Sequence, residues 1–373
     1  MADRPHLNVN RRTLLIGGGA GVGLLLAWGV WPRSYEANLN AAKGESVFNA
    51  FLKIGSDGKV IVVVPQAEMG QGVYTSLPQI LADELGADWR TVGVEPAPIN
   101  PLYANDFLLT EAKDTLPGWL RGPGEWALRQ VAIRNALILT GGSSSIRGFE
   151  QRYREAGATA RALLCMAAGK RWDADWQACD TAEGFVTRGE DKLRFGELAE
   201  EAAKLTPPTD VPLRKLGEGG ISGKPVPRID LPSKVDGSAQ FAGDVRLPGL
   251  AYASVRHGPF GDTTLVEVDK KAADKVAGVI AVVENPGWVA AVATNWWAAD
   301  QALDALSPKF HTVGGFPDDA SINAALDNAL ASGDSKRFFE RGDPDEQIKG
   351  DAFSAEYRVP MAPHAPIEPL TAT

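Results

Sequence analysis

PQAEMGQGVYTSLPQILADELGADW, residues 65–89, is the stretch from which the rest of the chain can be read. Ahead of it stands KVIVVVP, a run of β-branched side chains that reads as a strand. From Thr75 to Leu85 apolar residues recur at helical spacing, with Thr75 or Ser76 as the expected N-cap and Pro78 in the first turn. WRTVGVEPAP follows as the next strand. Gly70 and Gly72 flank Gln71 where strand gives way to helix. Glycines there permit positive φ and close approach of a ligand to the backbone. The helix N-terminus near Thr75 is expected to supply free N–H groups and a partial positive charge. Gln71 offers both a donor and an acceptor. These features suit an anionic ligand with a polar heterocyclic edge, although a plain turn and cap would use the same residues.

Upstream, FNAFLKI and KVIVVVP flank Ser56-Asp57-Gly58, the pattern of a β-hairpin. Downstream, Glu125 to Thr140 and Tyr153 to Ala168 are expected as two helices, the second with Ala156, Ala160, Leu163 and Leu164 on one face. GGSSSIRG between them is not expected to be helical throughout. Its Gly141, Gly142 and Ser143 to Ser145 could form a nest of phosphate donors or a flexible loop. Arg147, Arg152, Arg154 and Arg161 would add phosphate contacts or form a solvated face. A short helix is expected over Leu193 to Lys204. Residues 206–235, rich in Pro, Gly and Lys, read as a linker. After it come strands near LAYASVRH, TLVEVD, GVIAVVEN and WVAAVAT, then the helix NWWAADQALDAL capped by Asn295. This alternation points to a compact α+β unit. Residues 313–350 read as loop and one helix, and DAFSAEYRVP as a final strand.

With 373 residues and 44% hydrophobic side chains, two or three domains are expected. A formal net charge of -9 and the lack of a basic stripe argue against nucleic acid as a partner. Cys165 and Cys179 lie in no CxxC or Cys/His cluster, so an iron–sulfur or zinc site within the chain is not expected. They are readable either as one disulfide or as two independent thiols. No two histidines have metal-ligand spacing on a helix. Residues 13–31 carry no charge and follow Arg11-Arg12. As a helix this run would span roughly 28 Å, close to a bilayer core. NRRTLLI resembles a twin-arginine export signal. Its glycines disfavour a buried core helix, so an export signal or an uncleaved anchor, and hence a periplasmic location, is expected.

Five segments occur in order: EMGQGVYTSLPQILADELGADW, TGGSSSIRG with EAGATARALL, PVPRIDLPSKVDGSAQFAGDVRLPGLAYASV, NWWAADQALDAL and YRVPMAPHAPIEPLTAT. Together they resemble the large subunit of molybdenum hydroxylases of the xanthine dehydrogenase and aldehyde oxidase family, in particular the isoquinoline 1-oxidoreductase beta-subunit type. The likeness runs from about residue 47 to the end and implies the N-terminal half of such a subunit. The implied fold is α+β: a signal or anchor over 1–33, a partial molybdopterin-binding domain over 47–205, the linker 206–235, an α/β hammerhead domain over 236–312, and the start of a second molybdopterin-binding region over 313–373. Gly70, Gln71, Gly72 and Thr75, with Gly142, Ser143 and Ser144, would hold a molybdenum–molybdopterin group, expected in its cytosine dinucleotide form. His257 would be a packing residue of a hammerhead strand, and Glu368 in HAPIEP structural. The implied activity is oxidation of aldehydes or N-heterocycles, with water as the oxygen source. Implied partners are a small [2Fe-2S] subunit, a C-terminal half or second chain, a c-type cytochrome and a small-molecule substrate. The family's catalytic base lies in a region this sequence does not contain, so no catalytic or metal-ligating residue is assigned. The competing reading is a truncated, non-catalytic chain, or a membrane-tethered module that needs a separate C-terminal half.

Overall fold

The computed structural model describes residues 34–215, 220–314, 317–333, 336, 339, 341–348, 350, 352–362 and 370–373. Arg11-Arg12, the apolar run 13–31 and the HAPIEP segment with His364 and Glu368 lie outside the described residues. Helices and sheets are both present, and the chain divides into two compact units, Met1–Ala239 and Gln240–Thr373. The architecture is α+β. Among the described residues no helix is long and apolar enough to cross a membrane.

The first unit is built on a four-stranded sheet in the order β1 (Glu45–Asn49), β2 (Leu52–Gly55), β3 (Val60–Val64) and β4 (Val92–Pro96). The expected hairpin is present, with Gly58 at φ 84° in its turn. FNAFLKI is not one strand, however. The Asn49 side chain accepts a hydrogen bond from the Phe51 amide at 2.9 Å and reverses the chain there, so β1 and β2 form an extra hairpin. β3 and β4 pair in parallel, and the Val73–Leu85 helix makes the crossover between them. Val73, Leu77, Leu81 and Leu85 are buried, and they share the core with Leu52, Val62 and Val64 of the sheet.

Gly72, not Thr75 or Ser76, caps this helix. At φ 85° it accepts the amides of Thr75 and Ser76 through its carbonyl. The glycine reverses the backbone one turn earlier than the hydroxyl residues would have, which places Pro78 inside the helix.

The segment expected as helix–loop–helix resolves differently. One helix runs from Arg121 to Arg134, and a second, of 29 residues, from Ser144 to Trp172. The latter absorbs SSIRG and carries the expected Ala156, Ala160, Leu163, Leu164 face into the core. Gly157 is where it meets the Val73–Leu85 helix. A Cβ there would stand 2.6 Å from the Leu81 carbonyl oxygen. A three-stranded meander follows, β5 (Asp180–Ala182), β6 (Phe185–Arg188) and β7 (Asp191–Arg194), and leads into the Phe195–Ala202 helix, shorter than expected. Cys165 and Cys179 are free thiols, the first buried and the second half-buried. Burial pushes the Cys165 thiol up to about 12.

Residues 206–235 contain one short helix, Leu231–Val235, and are otherwise irregular where described. They do not hang free. Arg154 and Arg161 donate to the carbonyls of Arg214 and Pro212, and Ile221 to Ile229 are bonded along the Val73–Leu85 helix.

In the second unit β10 (Val279–Asn285), β11 (Trp288–Ala293) and β8 (Tyr252–His257) form an antiparallel sheet, and β12 (Lys309–Thr312) pairs with β9 (Thr263–Glu267). The Trp296–Ala305 helix buries Ala302 and Leu303 against Val289 and Ala291. Asn295 caps it as expected, accepting from the Ala298 amide at 2.9 Å. A further helix spans Asp319–Ser332. His257 sits exposed in β8, not packed as expected. Residues 352–362 form no strand; their backbone is irregular and their side chains are exposed.

Candidate cofactor site

The contacts between the Val73–Leu85 and Ser144–Trp172 helices advance together along both chains. Gly157 lies on Leu81, and Arg161 donates to the Glu84 carbonyl at 2.7 Å. The helices therefore run parallel, and their N-termini stand at the same end. The 65–72 loop and the 139–145 loop meet there. The Ala67 amide donates to the Thr140 hydroxyl at 2.8 Å, and the Ser145 hydroxyl to Gln66 Oε1 at 2.9 Å. The two loops singled out in the sequence, some 70 residues apart, are thus hydrogen-bonded to each other. The N-terminus of the Ser144–Trp172 helix thus stands beside the glycine loop that opens the Val73–Leu85 helix.

Within the first loop, Gly70 and Gly72 hold φ values of 98° and 85°. No heavy atom lies within 4 Å of where a Cβ would stand on either. The Cα face of each is open to close approach, although their amides and carbonyls are bonded within the protein. Gln71 is exposed, but its carboxamide is engaged in its own loop: Oε1 accepts from the Met69 amide at 2.6 Å and Nε2 donates to the Ala67 carbonyl at 2.7 Å. Thr75 is buried in its helix, and its hydroxyl accepts from the Ile229 amide at 3.1 Å.

In the second loop Gly142 and Ser143 both adopt left-handed conformations, φ 59° and 51°, and both are exposed. Ser144 is fully buried; its hydroxyl donates to the Gly141 carbonyl at 2.6 Å and accepts from Asn105 Nδ2 at 2.7 Å. Asn105 Oδ1 is buried without a hydrogen-bond partner. Gly70, Gln71, Gly72, Gly142 and Ser143 thus line the accessible rim, whereas Thr75 and Ser144 brace it from below.

The helix N-terminus near Thr75 does not offer free N–H groups as expected. The Glu68 carboxylate accepts from the amides of Gly70 (2.8 Å), Gly72 (3.0 Å) and Tyr74 (3.0 Å). Its side chain is 7% exposed and pairs with Arg228 at 3.3 Å. Burial pushes the Glu68 carboxyl up, but the three amide bonds outweigh that, and its pKa lies below the ordinary value. The sequence pattern by itself assigned Glu68 no role. The available signal was an acid placed just before a glycine turn and a helix start.

The arginines take other roles. Arg154 and Arg161 converge on buried Glu84, with side chains 12% exposed, so they are neither phosphate ligands nor a solvated face. Arg152 pairs with Asp106. Only Arg147 stays open: it lies over the Phe107 ring and pairs with Glu111 at the surface.

Residues 17–99, which contain the Gly70–Gly72 loop, fit the model of the molybdopterin cofactor-binding domain. The beta chain of isoquinoline 1-oxidoreductase from Brevundimonas diminuta is 29% identical over 68% of this chain and 34% of its own. A nicotinate dehydrogenase subunit from Pseudomonas putida is 26% identical over 86% of this chain and 25% of its own. Membrane-bound aldehyde dehydrogenase of Gluconacetobacter polyoxogenes is 28% identical over 68% of this chain and 30% of its own. The chain therefore spans between a quarter and about a third of the length of these relatives. Quinoline 2-oxidoreductase from Pseudomonas putida 86, a solved structure, is 19% identical over 42% of this chain and 17% of its own, with a TM-score of 0.24. The chain is a molybdopterin-binding subunit. It is similar to subunits of molybdenum hydroxylases of the xanthine oxidase family.

Proposed function

We propose that this chain supplies part of the cofactor cradle of an exported molybdenum hydroxylase that oxidises aldehydes or N-heterocycles, with water as the oxygen source. The observation that carries this reading is the junction of the two loops at adjacent helix N-termini, with Gly70 and Gly72 open to approach. When bound, the molybdenum–molybdopterin group, in its cytosine dinucleotide form, supplies the two-electron redox chemistry. The chain's own task is to bind and orient it. Gly70 and Gly72 let the loop backbone come against the ligand. Gln71 exchanges its internal bonds to Met69 and Ala67 for the ligand's polar edge. Gly142 and Ser143, at the N-terminus of the 29-residue helix, favour the anionic end. Thr75 and Ser144 hold the loops in place. In this reading residues 47–205 are the molybdopterin-binding domain, 206–235 the connection, 236–312 an α/β hammerhead domain, and 313–373 the opening of a second cofactor-binding region. A [2Fe-2S] subunit, with a c-type cytochrome beyond it, takes the electrons. Arg11-Arg12 and residues 13–31 direct twin-arginine export to the periplasm and can serve as an anchor.

The test is metal and nucleotide analysis of the native complex, wild type against Gln71→Ala. Loss of one good polar contact lowers affinity by about 1 kcal/mol or more, so the variant should carry less molybdenum and pterin. Full occupancy would remove Gln71 from the cradle. For export, changing Arg11 and Arg12 to lysine should hold a reporter fusion in the cytoplasm; unchanged export would refute that part.

A further inference from the structure

We infer that residues 221–235 act as a strap that positions the Gly70–Gly72 loop, with Arg228 as the positioning residue that works through Glu68. The inference rests on the reading of that loop as part of the cofactor cradle. It concerns what holds the loop, not what the loop holds.

The Val73–Leu85 helix carries polar residues at Thr75, Gln79 and Asp83, one turn apart on a single stripe. Each of them bonds the strap's backbone. Asp83 accepts from the Ile221 amide at 2.6 Å. Gln79 donates to the carbonyls of Ile221 (2.5 Å) and Lys224 (2.9 Å). Thr75 accepts from the Ile229 amide at 3.1 Å. Trp89 adds a bond to the Pro227 carbonyl at 3.3 Å. The strap thus runs antiparallel to the helix, from its C-terminal end back to its start, with no sheet pairing and little burial of its own. Just before it the chain passes close to the same carboxylate: a Cβ on Gly220 would fall 1.8 Å from Asp83 Oδ1.

At its far end the strap delivers Arg228 to the loop. The guanidinium donates to the Gly70 carbonyl and to Glu68 Oε1, both at 3.3 Å, and pairs with Asp230 at 3.0 Å. Lys234 completes the group on Asp230. Glu68 in turn holds three loop amides. Glu68, whose side chain is 7% exposed, lies beside a second carboxylate, Asp230, and Arg228 is the cation that pairs with both. Without Arg228, Glu68 gains more from moving to water than from staying on the amides. Gly70, Gly72 and Tyr74 would then lose their common acceptor, and the two glycines at positive φ would keep only the Gln71 bonds and the helix cap to define them.

The experiment is hydrogen–deuterium exchange on the full chain in its assembly, read by mass spectrometry over peptides covering residues 66–75 and, as reference, 155–168. Arg228→Ala should raise exchange at 70–74 about tenfold or more, with the reference peptides unchanged. Arg228→Lys, which keeps the charge, should restore part of the protection; simple loss of packing would show no such dependence on charge. Gln79→Ala releases the strap without touching the loop, and it should give the same pattern to a smaller extent. It also keeps the proposal testable if Arg228→Ala does not fold. Unchanged exchange at 70–74 in Arg228→Ala or, if that chain is lost, in Gln79→Ala would overturn the proposal. Molybdenum and pterin content, measured on the same samples, tests the cradle reading apart. A loop that loosens while cofactor content stays full keeps the strap and rejects the cradle.

Discussion

Replacing Gly157 by alanine adds a single methyl group where two helices are closest, and its effect can be worked out in sign and size. The added Cβ would lie 2.6 Å from the Leu81 carbonyl oxygen and 2.9 Å from Glu84 Cβ. Ordinary contact begins near 3.4 Å, so the helices must part by roughly 0.8 Å or one of them must bend. Neither neighbour can turn aside, since one is backbone and the other the first atom of a buried side chain. Overpacking of this kind costs about 1–3 kcal/mol. Against it stands the helix propensity of alanine over glycine, about 0.5–1 kcal/mol. The net expectation is a loss of about 1–2 kcal/mol, or a fall in melting temperature of about 2–8 °C for a unit of this size. Chemical and thermal denaturation followed by tryptophan fluorescence would measure it. Gly122 is the control: it is helical too, but nothing lies within 4 Å of its Cβ position, so Gly122→Ala should be neutral or gain up to about 0.5 kcal/mol. If Gly157→Ala proves as stable as the wild type, the close approach that sets the spacing of the two loops is not a real constraint.

Other perturbations follow from single features. Glu84→Gln leaves the Arg154 and Arg161 guanidinium groups around a neutral group in a buried setting, and should cost about 3 kcal/mol in denaturant unfolding; a loss under about 0.5 kcal/mol would contradict it. Asp230 is held down to about 2 by Arg228, by Lys234 and against its own burial. A depressed carboxyl contributes stability that is full above its ordinary pKa near 3.8 and lost as pH falls from about 4 to 2. The contribution is about 1–2 kcal/mol after allowance for the part-exposed Arg228, and Asp230→Asn should flatten stability across that window. Cys165, buried with its pKa near 12, should resist iodoacetamide at pH 8 until the chain unfolds, and labelling of the native protein there would refute its burial. Limited proteolysis should cut within residues 236–249, which are exposed almost throughout, before it cuts the strap at 221–230; first cuts in the strap would mean that its bonds do not hold in solution.

How much of this was legible in the sequence depends on how local each determinant is. The Asp57-Gly58 hairpin, the helix after the glycine loop, the existence of the strand that follows it and the Asn295 cap all depend on neighbours within a few positions, and each was readable; the parallel pairing of that strand was not. The early hairpin at Asn49 was missed because one side chain, bonded to Phe51 and to the Ala156 carbonyl, overrides an unbroken apolar run. The helix through SSIRG was missed because serine and glycine read as breakers. In the fold Ser144 is bonded to Asn105 and Gly141, and a Cβ on Gly148 would stand 3.1 Å from Phe107 Cβ and 3.3 Å from Asn105 Oδ1. The short strands β5–β7 have too few residues for a period to emerge.

The candidate site divides the same way. Its rim, Gly70, Gln71 and Gly72, was visible as a glycine pair between a strand and a helix, but the charge behind it was not. Glu68 is two positions from Gly70, whereas its counterion Arg228 lies 160 positions along the chain in a segment whose composition reads as a linker. Thr75, Gln79 and Asp83 illustrate the reason. Polar residues spaced by four on one helix face read equally as a solvated surface or as a binding stripe, because the pattern records only that the face is polar. What distinguishes the two is whether backbone amides and carbonyls from elsewhere arrive to be bonded, and here they come from Ile221, Lys224 and Ile229. Such a strap needs no apolar period of its own, since its partners supply side chains and it supplies only backbone. A proline- and glycine-rich segment is therefore compatible with a fixed structural role whenever a nearby helix carries an otherwise unexplained polar stripe.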